Sequence, residues 1–257
     1  MHADAQQTLV DALRTQEEDW RRRPLVRRLY HSWFRLVVAQ LSSVPGPTIE
    51  LGSGISRFKE HHPPTVATDI EPTPWVSDVV DAENLPYADG SLANLVLIDV
   101  FHHLPGPTKF LDAAARVLAP GGRVVLLDPY CSPVSNLVYR HFHHERTDLD
   151  AAPFDEDPAA AASPMASNQA RTTLVFFRHR EEFERRWPEL AIVARRRLAL
   201  LVYPLSGGLT GPRLVPTWFY PPLAVLERML MPLAPLLAFR CLVVLERTAA
   251  QGVGPSG

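Results

Sequence analysis

Glu50-Leu51-Gly52-Ser53-Gly54, directly after Thr48-Ile49 and before Ile55-Ser56-Arg57, constrains this chain more than any other stretch. A strand that ends in an acid and turns through two glycines lets backbone N–H groups approach a ligand closely, which is how open α/β sheets hold nucleotides. A dinucleotide-binding turn wants a third glycine where the helix packs on the strand. Arg57 stands there, so nicotinamide and flavin lose support and an adenosine-based ligand gains it. Alone, a G-x-G is a weak signal, and a tight structural turn is the alternative.

Downstream of the turn, further features come in the order and spacing a nucleotide site needs. Pro64 to Thr68 reads as a second strand closing on Asp69, about twenty residues past Glu50, where a carboxylate can accept both ribose hydroxyls. Val79-Val80 ends on Asp81-Ala82, and the turn-rich connector Glu83 to Ser91 comes after it. Asn94 to Ile98 is a continuous apolar run, as in a parallel strand buried on both faces, and it leads into Asp99-Val100-Phe101-His102-His103-Leu104. Pro107 to Leu118 has apolar residues at helical spacing, Pro120-Gly121-Gly122 stops it, and Arg123 to Asp128 is the next strand.

The series Glu-Leu-Gly-Ser-Gly, Thr-Asp-Ile, Asp-Ala-Glu-Asn-Leu-Pro-Tyr-Ala-Asp-Gly-Ser, Phe-His-His-Leu and Arg-Val-Leu-Ala-Pro-Gly-Gly-Arg-Val-Val resembles class I S-adenosylmethionine-dependent methyltransferases of the ubiquinone/menaquinone (type 11) branch. It covers roughly residues 47 to 130. The resemblance implies a Rossmann-like α/β fold: a seven-stranded, mostly parallel sheet whose last strand is antiparallel. It implies S-adenosylmethionine as cofactor and a small-molecule acceptor. Residue by residue, Glu50, Gly52 and Gly54 would frame the methionine end, Asp69 the ribose, Asp81 and Ala82 the adenine, and Asp99 and Val100 the methionine tail and the transferred methyl. Asp81 as a turn cap and Asp99 as a helix N-cap are the alternatives without a ligand. His102 and His103 follow the fourth strand, where an imidazole can serve as general base, His103 first; a structural role is the alternative.

A chain of 257 residues with 46% hydrophobic content suits one α/β core with additions. We expect residues 1–46 to be a helical segment packing on a methyltransferase domain at 47–257, with insertions near 146–170 and 201–236. A net charge of −2 gives no drive toward nucleic acid or anionic membrane. Cys131 and Cys241 lie far apart without metal-ligand spacing, which suggests a reducing compartment, and the polar start Met1 to Gln7 makes the cytoplasm the default.

Two departures from the family pattern stand out. Pro63 follows the glycine turn closely, and Ile70 to Asp78 cannot hold a crossover helix, so two sheet-covering helices are shortened or absent. A parallel sheet needs both faces buried. The apolar stripe of Leu25, Leu29, Trp33 and Leu36-Val37, with Val26, Tyr30 and Phe34 beside it, is the candidate cover. Arg21, Arg22, Arg23, Arg27 and Arg28 follow Glu17, Glu18 and Asp19 at helical pairing distance and read as a solvated, salt-bridged face.

In the second half, Ser132 to His144 reads as a helix, and Asp148 to Ser167 as a mobile loop or lid. Leu190 to Leu200 and Leu237 to Glu246 read as the last two strands, pairing antiparallel around an apolar, proline-broken insertion. That insertion is either a helix packed on the core or a cap over a hydrophobic or lipid-like acceptor. On a helix His141, His144 and Glu145 would share a face, but H-x-x-H-E lacks the zinc-protease spacing, so no metal is expected. Beside methyl transfer stand two other readings: a nonenzymatic module that binds the cofactor or a partner, and a peripheral membrane enzyme that modifies lipids.

Overall fold

Short apolar runs bounded by glycine, proline and aspartate become the strands of one twisted sheet. The structure, a computed structural model, describes residues 2–143, 145–162, 166–208 and 211–249. The strands are β1 (Thr48–Leu51), β2 (Val66–Asp69), β3 (Asp78–Val79), β4 (Leu92–Ile98), β5 (Leu118–Pro129), β6 (Leu190–Leu198) and β7 (Arg240–Arg247). They lie in the order β3-β2-β1-β4-β5-β7-β6. β1 to β5 pair parallel, and β7 runs antiparallel to both β5 and β6. This is the expected seven-stranded Rossmann-like α/β sheet with one antiparallel strand. The runs Leu95 to Leu97 and Val124 to Leu127 are fully buried because both faces of the centre are covered.

The two curtailed crossovers are as the prolines require. Only a single 3₁₀ turn, Phe58–Glu60, stands between β1 and β2, and no helix among the described residues lies between β2 and β3. The cover comes from the N-terminus. α1 (His2–Arg22) and α2 (Pro24–Val38) meet at Arg23, whose backbone is not helical, with Pro24 opening α2. α2 buries Leu25, Val26, Leu29, Tyr30, Trp33, Phe34 and Val37 in a cluster that includes Val96, Val125, Leu127, Leu242 and Val244 of the sheet. Arg21 pairs with Glu17 and Arg22 with Glu18 one turn back. The opposite face is covered by α3 (Pro107–Val117), which buries Phe110, Leu111, Ala114 and Val117.

Beyond β5 the chain departs from expectation in two places. α4 (Pro133–Phe142), opened by a reciprocal Ser132–Ser135 cap, ends before Glu145, so that acid does not share a helical face with His141; His144 lies outside the described residues. Where described, the segment expected as a mobile loop is packed: Phe154 is buried beside Trp187, and Asp157 takes ion pairs from Arg146 and Arg171. Residues 163–165 lie outside the described residues. The chain then forms α5 (Pro158–Ala162), α6 (Arg171–Thr173) widening into the π turn Leu174–Arg178, and α7 (Arg180–Arg186). Between β6 and β7 the insertion makes α8 (Val202–Ser206), α9 (Tyr220–Leu230) and α10 (Ala234–Leu237). It packs Val202, Leu223 and Ala234 inward and leaves Trp218, Met229 and Leu236 exposed. No helix among the described residues is long and apolar enough to cross a membrane.

Candidate functional site

The glycine turn is fastened to β2 by side-chain and backbone bonds. Thr68 Oγ1 donates to the Glu50 carbonyl at 2.8 Å, Ser53 N to the Thr68 carbonyl at 2.9 Å, and Gly54 N to Asp69 Oδ2 at 3.0 Å. Gly52 and Gly54 take φ of +66° and +51°, the left-handed region that glycine enters without strain. A Cβ on Gly52 would stand 2.5 Å from Val100 Cγ2, so that position is closed sterically as well; one on Gly54 would meet only Leu13, at 3.8 Å.

This turn forms one wall of a cavity of about 160 Å³ that Glu50, Gly52, Ser53, Gly54 and Asp99 share with Trp20 and Tyr30. α1 supplies the roof, where Arg57 pairs with Glu17 at 2.7 Å. Inside it, Glu50 Oε2 and Ser53 Oγ are buried without a hydrogen-bond partner among the described residues. Burial, helped by the charge of Asp69, pushes the Glu50 carboxyl up to about 8. A buried, under-bonded acid on this wall could hold a cationic ligand group.

At the end of β4, Asp99 adopts φ +60°, a conformation in which non-glycine residues are uncommon and concentrate at functional sites. Its carboxylate accepts from the Tyr30 hydroxyl at 2.9 Å and from the guanidinium of Arg240, the buried first residue of β7. The Trp33 and Tyr203 rings flank that guanidinium at 5.5 and 5.6 Å. Asp99 thus faces the cavity with its orientation set from behind. The sequence marked Tyr30 only as part of the covering stripe, and nothing local signalled Arg240; each reaches the site through the packing of a distant element.

The remaining expected residues are distributed around this centre. Asp81 and Ala82 follow β3, whose Val79 pairs with Asp69; Asp81 is exposed and accepts from Glu83 N at 2.9 Å, and Ala82 is buried. Val100 packs over Gly52. His102 and His103 form a 3₁₀ turn with Phe101, but neither lines the Glu50 cavity. His102 is buried, its Nδ1 2.9 Å from Asp128 Oδ1 and its Nε2 3.5 Å from Glu145 Oε2. Burial alone would lower the ring, but Asp128 and Glu145 together raise it to about 10; burial would raise Glu145, but His102, with His103 and His143 beside it, holds that carboxyl down to about 2. Both ring nitrogens of His102 are thus turned toward carboxylates. His103 is half-buried, its ring centroid 4.0 Å from that of His102.

Residues 57–126 match the family described as a methyltransferase domain. The chain is 41% identical over 51 residues to the methyltransferase GfsG of Streptomyces halstedii, which is 20% of this chain and 18% of that protein. It is 42% identical over 53 residues to the 27-O-demethylrifamycin SV methyltransferase of Amycolatopsis mediterranei, 21% of this chain and 20% of that one. The chain thus aligns with about a fifth of the length of these curated relatives. Its fold is similar to that of an S-adenosylmethionine-dependent methyltransferase from Thermotoga maritima, with a TM-score of 0.55 at 14% identity over 94% of this chain and 99% of that one. The strand order, the glycine turn and the matched segment 57–126 agree in their likeness to class I S-adenosylmethionine-dependent methyltransferases.

Proposed function

We propose that the protein transfers a methyl group from S-adenosylmethionine to a small, hydrophobic or lipid-like acceptor. The observation that carries this reading is the buried Glu50 carboxyl, whose Oε2 has no partner among the described residues on the wall of the glycine-turn cavity. The cofactor would place its ammonium against Glu50 and its ribose hydroxyls on Asp69. Asp81 and the Ala82 backbone would take the adenine, and Asp99 with Val100 would border the methionine tail. Bound there, the cofactor supplies an electrophilic methyl on a sulfonium.

The chain's own part is alignment and exclusion of water. Tyr30 and Arg240 hold Asp99 fixed, and Trp20, Tyr30, Phe34 and Phe58 close an apolar wall over the cavity. Holding nucleophile, methyl carbon and sulfur in line within a dry pocket supplies a large part of the acceleration for such a displacement. Trp33, Tyr203 and the apolar insertion above them support a hydrophobic acceptor. The finer placement, in the ubiquinone/menaquinone-type branch, rests on the motif series alone.

Calorimetry with S-adenosylmethionine tests the pocket, and deuteriomethyl-labelled cofactor in a metabolite extract, read by untargeted mass spectrometry, tests the transfer. We expect one-to-one binding and a labelled small molecule. Binding without any label would leave a nonenzymatic module; absence of binding would remove the reading altogether.

A further inference from the structure

Two imidazoles and two carboxylates outside the cofactor cavity converge beside the ends of β4 and β5. We propose that His102, His103 and Glu145 form a binding site for a divalent transition-metal ion, with Asp128 orienting the first ligand. A donor atom from each of the three lies within 4.8 Å of the other two, and His102 Nε2 already stands 3.5 Å from Glu145 Oε2. Ligands about 2.0–2.1 Å from a zinc-sized ion stand roughly 3.4 Å apart around a tetrahedron. The buried pair is therefore at ligand separation, and a side-chain movement of His103 at the half-buried rim closes the set.

The surroundings are those of a supported metal site. A metal-binding histidine ordinarily donates its other ring N–H to a carboxylate, which fixes the tautomer and aims the lone pair at the ion. His102 Nδ1 meets Asp128 Oδ1 at 2.9 Å, and Asp128 is held by the His102 backbone N–H at 3.1 Å and by the Thr172 hydroxyl. Glu145 is likewise supported, by the Gln169 amide and by the Ser167 hydroxyl at 3.3 Å. Charge points the same way. Asp128 and Glu145, 1% and 8% exposed, both lean on one imidazole ring, and a divalent cation on its Nε2 balances both carboxylates. Two nitrogens and one oxygen suit Zn²⁺ or Co²⁺ rather than the all-oxygen preference of Mg²⁺ and Ca²⁺, and three protein ligands leave a position for water. None of the three lines the Glu50 cavity, so the ion site stands apart from the methyl-transfer pocket.

The test uses the full chain, stripped with chelator and titrated calorimetrically with ZnCl₂, alongside the visible absorption of CoCl₂ added in its place. One ion per chain is expected, with a Co²⁺ band of low coordination number. His103→Ala and the volume-keeping His103→Gln should each weaken Zn²⁺ binding at least about tenfold and remove the band, and Asp128→Asn should weaken it about 10–100-fold. Asp69→Ala in the cofactor cleft should leave it unchanged, which separates failure of this site from failure of the cofactor reading. So should His61→Ala, which breaks the other close histidine pair, His31 Nδ1 to His61 Nε2 at 2.7 Å. The proposal is overturned if no one-to-one isotherm is found, if both His103 variants bind as the parent does, or if the loss falls on His61→Ala instead.

Discussion

Glu50 and Asp128 each stand one residue before the end of a strand of the same sheet and are both buried, yet their surroundings are opposite. Glu50, at 4% exposure, has one carboxyl oxygen with no partner among the described residues and is pushed up to about 8. Asp128, at 1%, is bonded by the His102 backbone, the His102 ring and the Thr172 hydroxyl. An acid whose bonds are all made inside the protein is part of the framework. An acid left short of partners keeps its proton in the empty site, and a cationic ligand that supplies the counter-charge would let it ionise there.

The contrast can be broken, and the largest effect should come from removing what covers the Glu50 side. Deleting residues 1–40 takes away the α2 stripe, in which Trp33 and Phe34 are both 4% exposed; truncating one such aromatic typically costs about 3–5 kcal/mol. The fragment should lose its cooperative melt and its affinity for S-adenosylmethionine, whereas deletion of 1–12 should change little. A cooperatively melting 41–257 fragment would show that the sheet is closed by the insertion between β6 and β7. Next comes Asp128→Ala, which strands the His102 ring and Thr172 in the interior. A loss of about 3–5 kcal/mol in urea unfolding is expected, as for other broken buried pairs.

A milder change should act on ligand binding rather than on the fold. Glu50→Gln keeps the shape and removes the titrating group. The folded carboxyl holds its proton up to about 8, above the ordinary 4.5, so the unfolded chain gives up that proton first. Wild-type stability should therefore fall as pH climbs from 4.5 to about 8 and then level off. Denaturant titrations should find that component of the slope missing in Glu50→Gln, along with about 1.5–3 kcal/mol of S-adenosylmethionine affinity. An unchanged slope would mean that Glu50 is ionised and already partnered. The smallest effect is expected at Gly54→Ala, where the Cβ meets only Leu13 at 3.8 Å and left-handed strain of about 1–2 kcal/mol is the whole cost. Gly52→Ala, driven into Val100, should cost more, and equal melting of the two would argue against the tight turn.

The Glu50 side is legible in the sequence because its determinants are local. The acid, the glycines and the prolines that shorten the crossovers lie within one stretch, Glu50 to Pro74, and α2 announces itself by periodicity. The Asp128 side is not. Its contacts join residues 26 and 44 positions apart, Asp128 to His102 and Asp128 to Thr172, and on the Glu50 side the one hold of this kind, Arg240 on Asp99, spans 141 and is equally hidden. Each depends on how a whole element is carried over the sheet, which no local pattern encodes. In the sequence Glu145 stands close to His141, but the end of α4 at Phe142 redirects it inward. The segment after Asp148 reads as open loop because it is rich in Asp, Ala and Pro; its order comes from single anchors, Phe154 and Asp157, that leave no periodicity to read.

The two outermost strands carry a consequence for a crowded solution. Any open sheet offers its last rows of N–H and C=O groups to passing chains, and long flat borders nucleate aggregates. Here β3 is only two residues long, too little to template a stranger. At the other border, β6 is kinked between Ile192 and Ala194 and carries the exposed Arg196 just beyond, so an incoming strand would meet a broken register beside a charge. At both ends, the strands themselves discourage growth by further pairing.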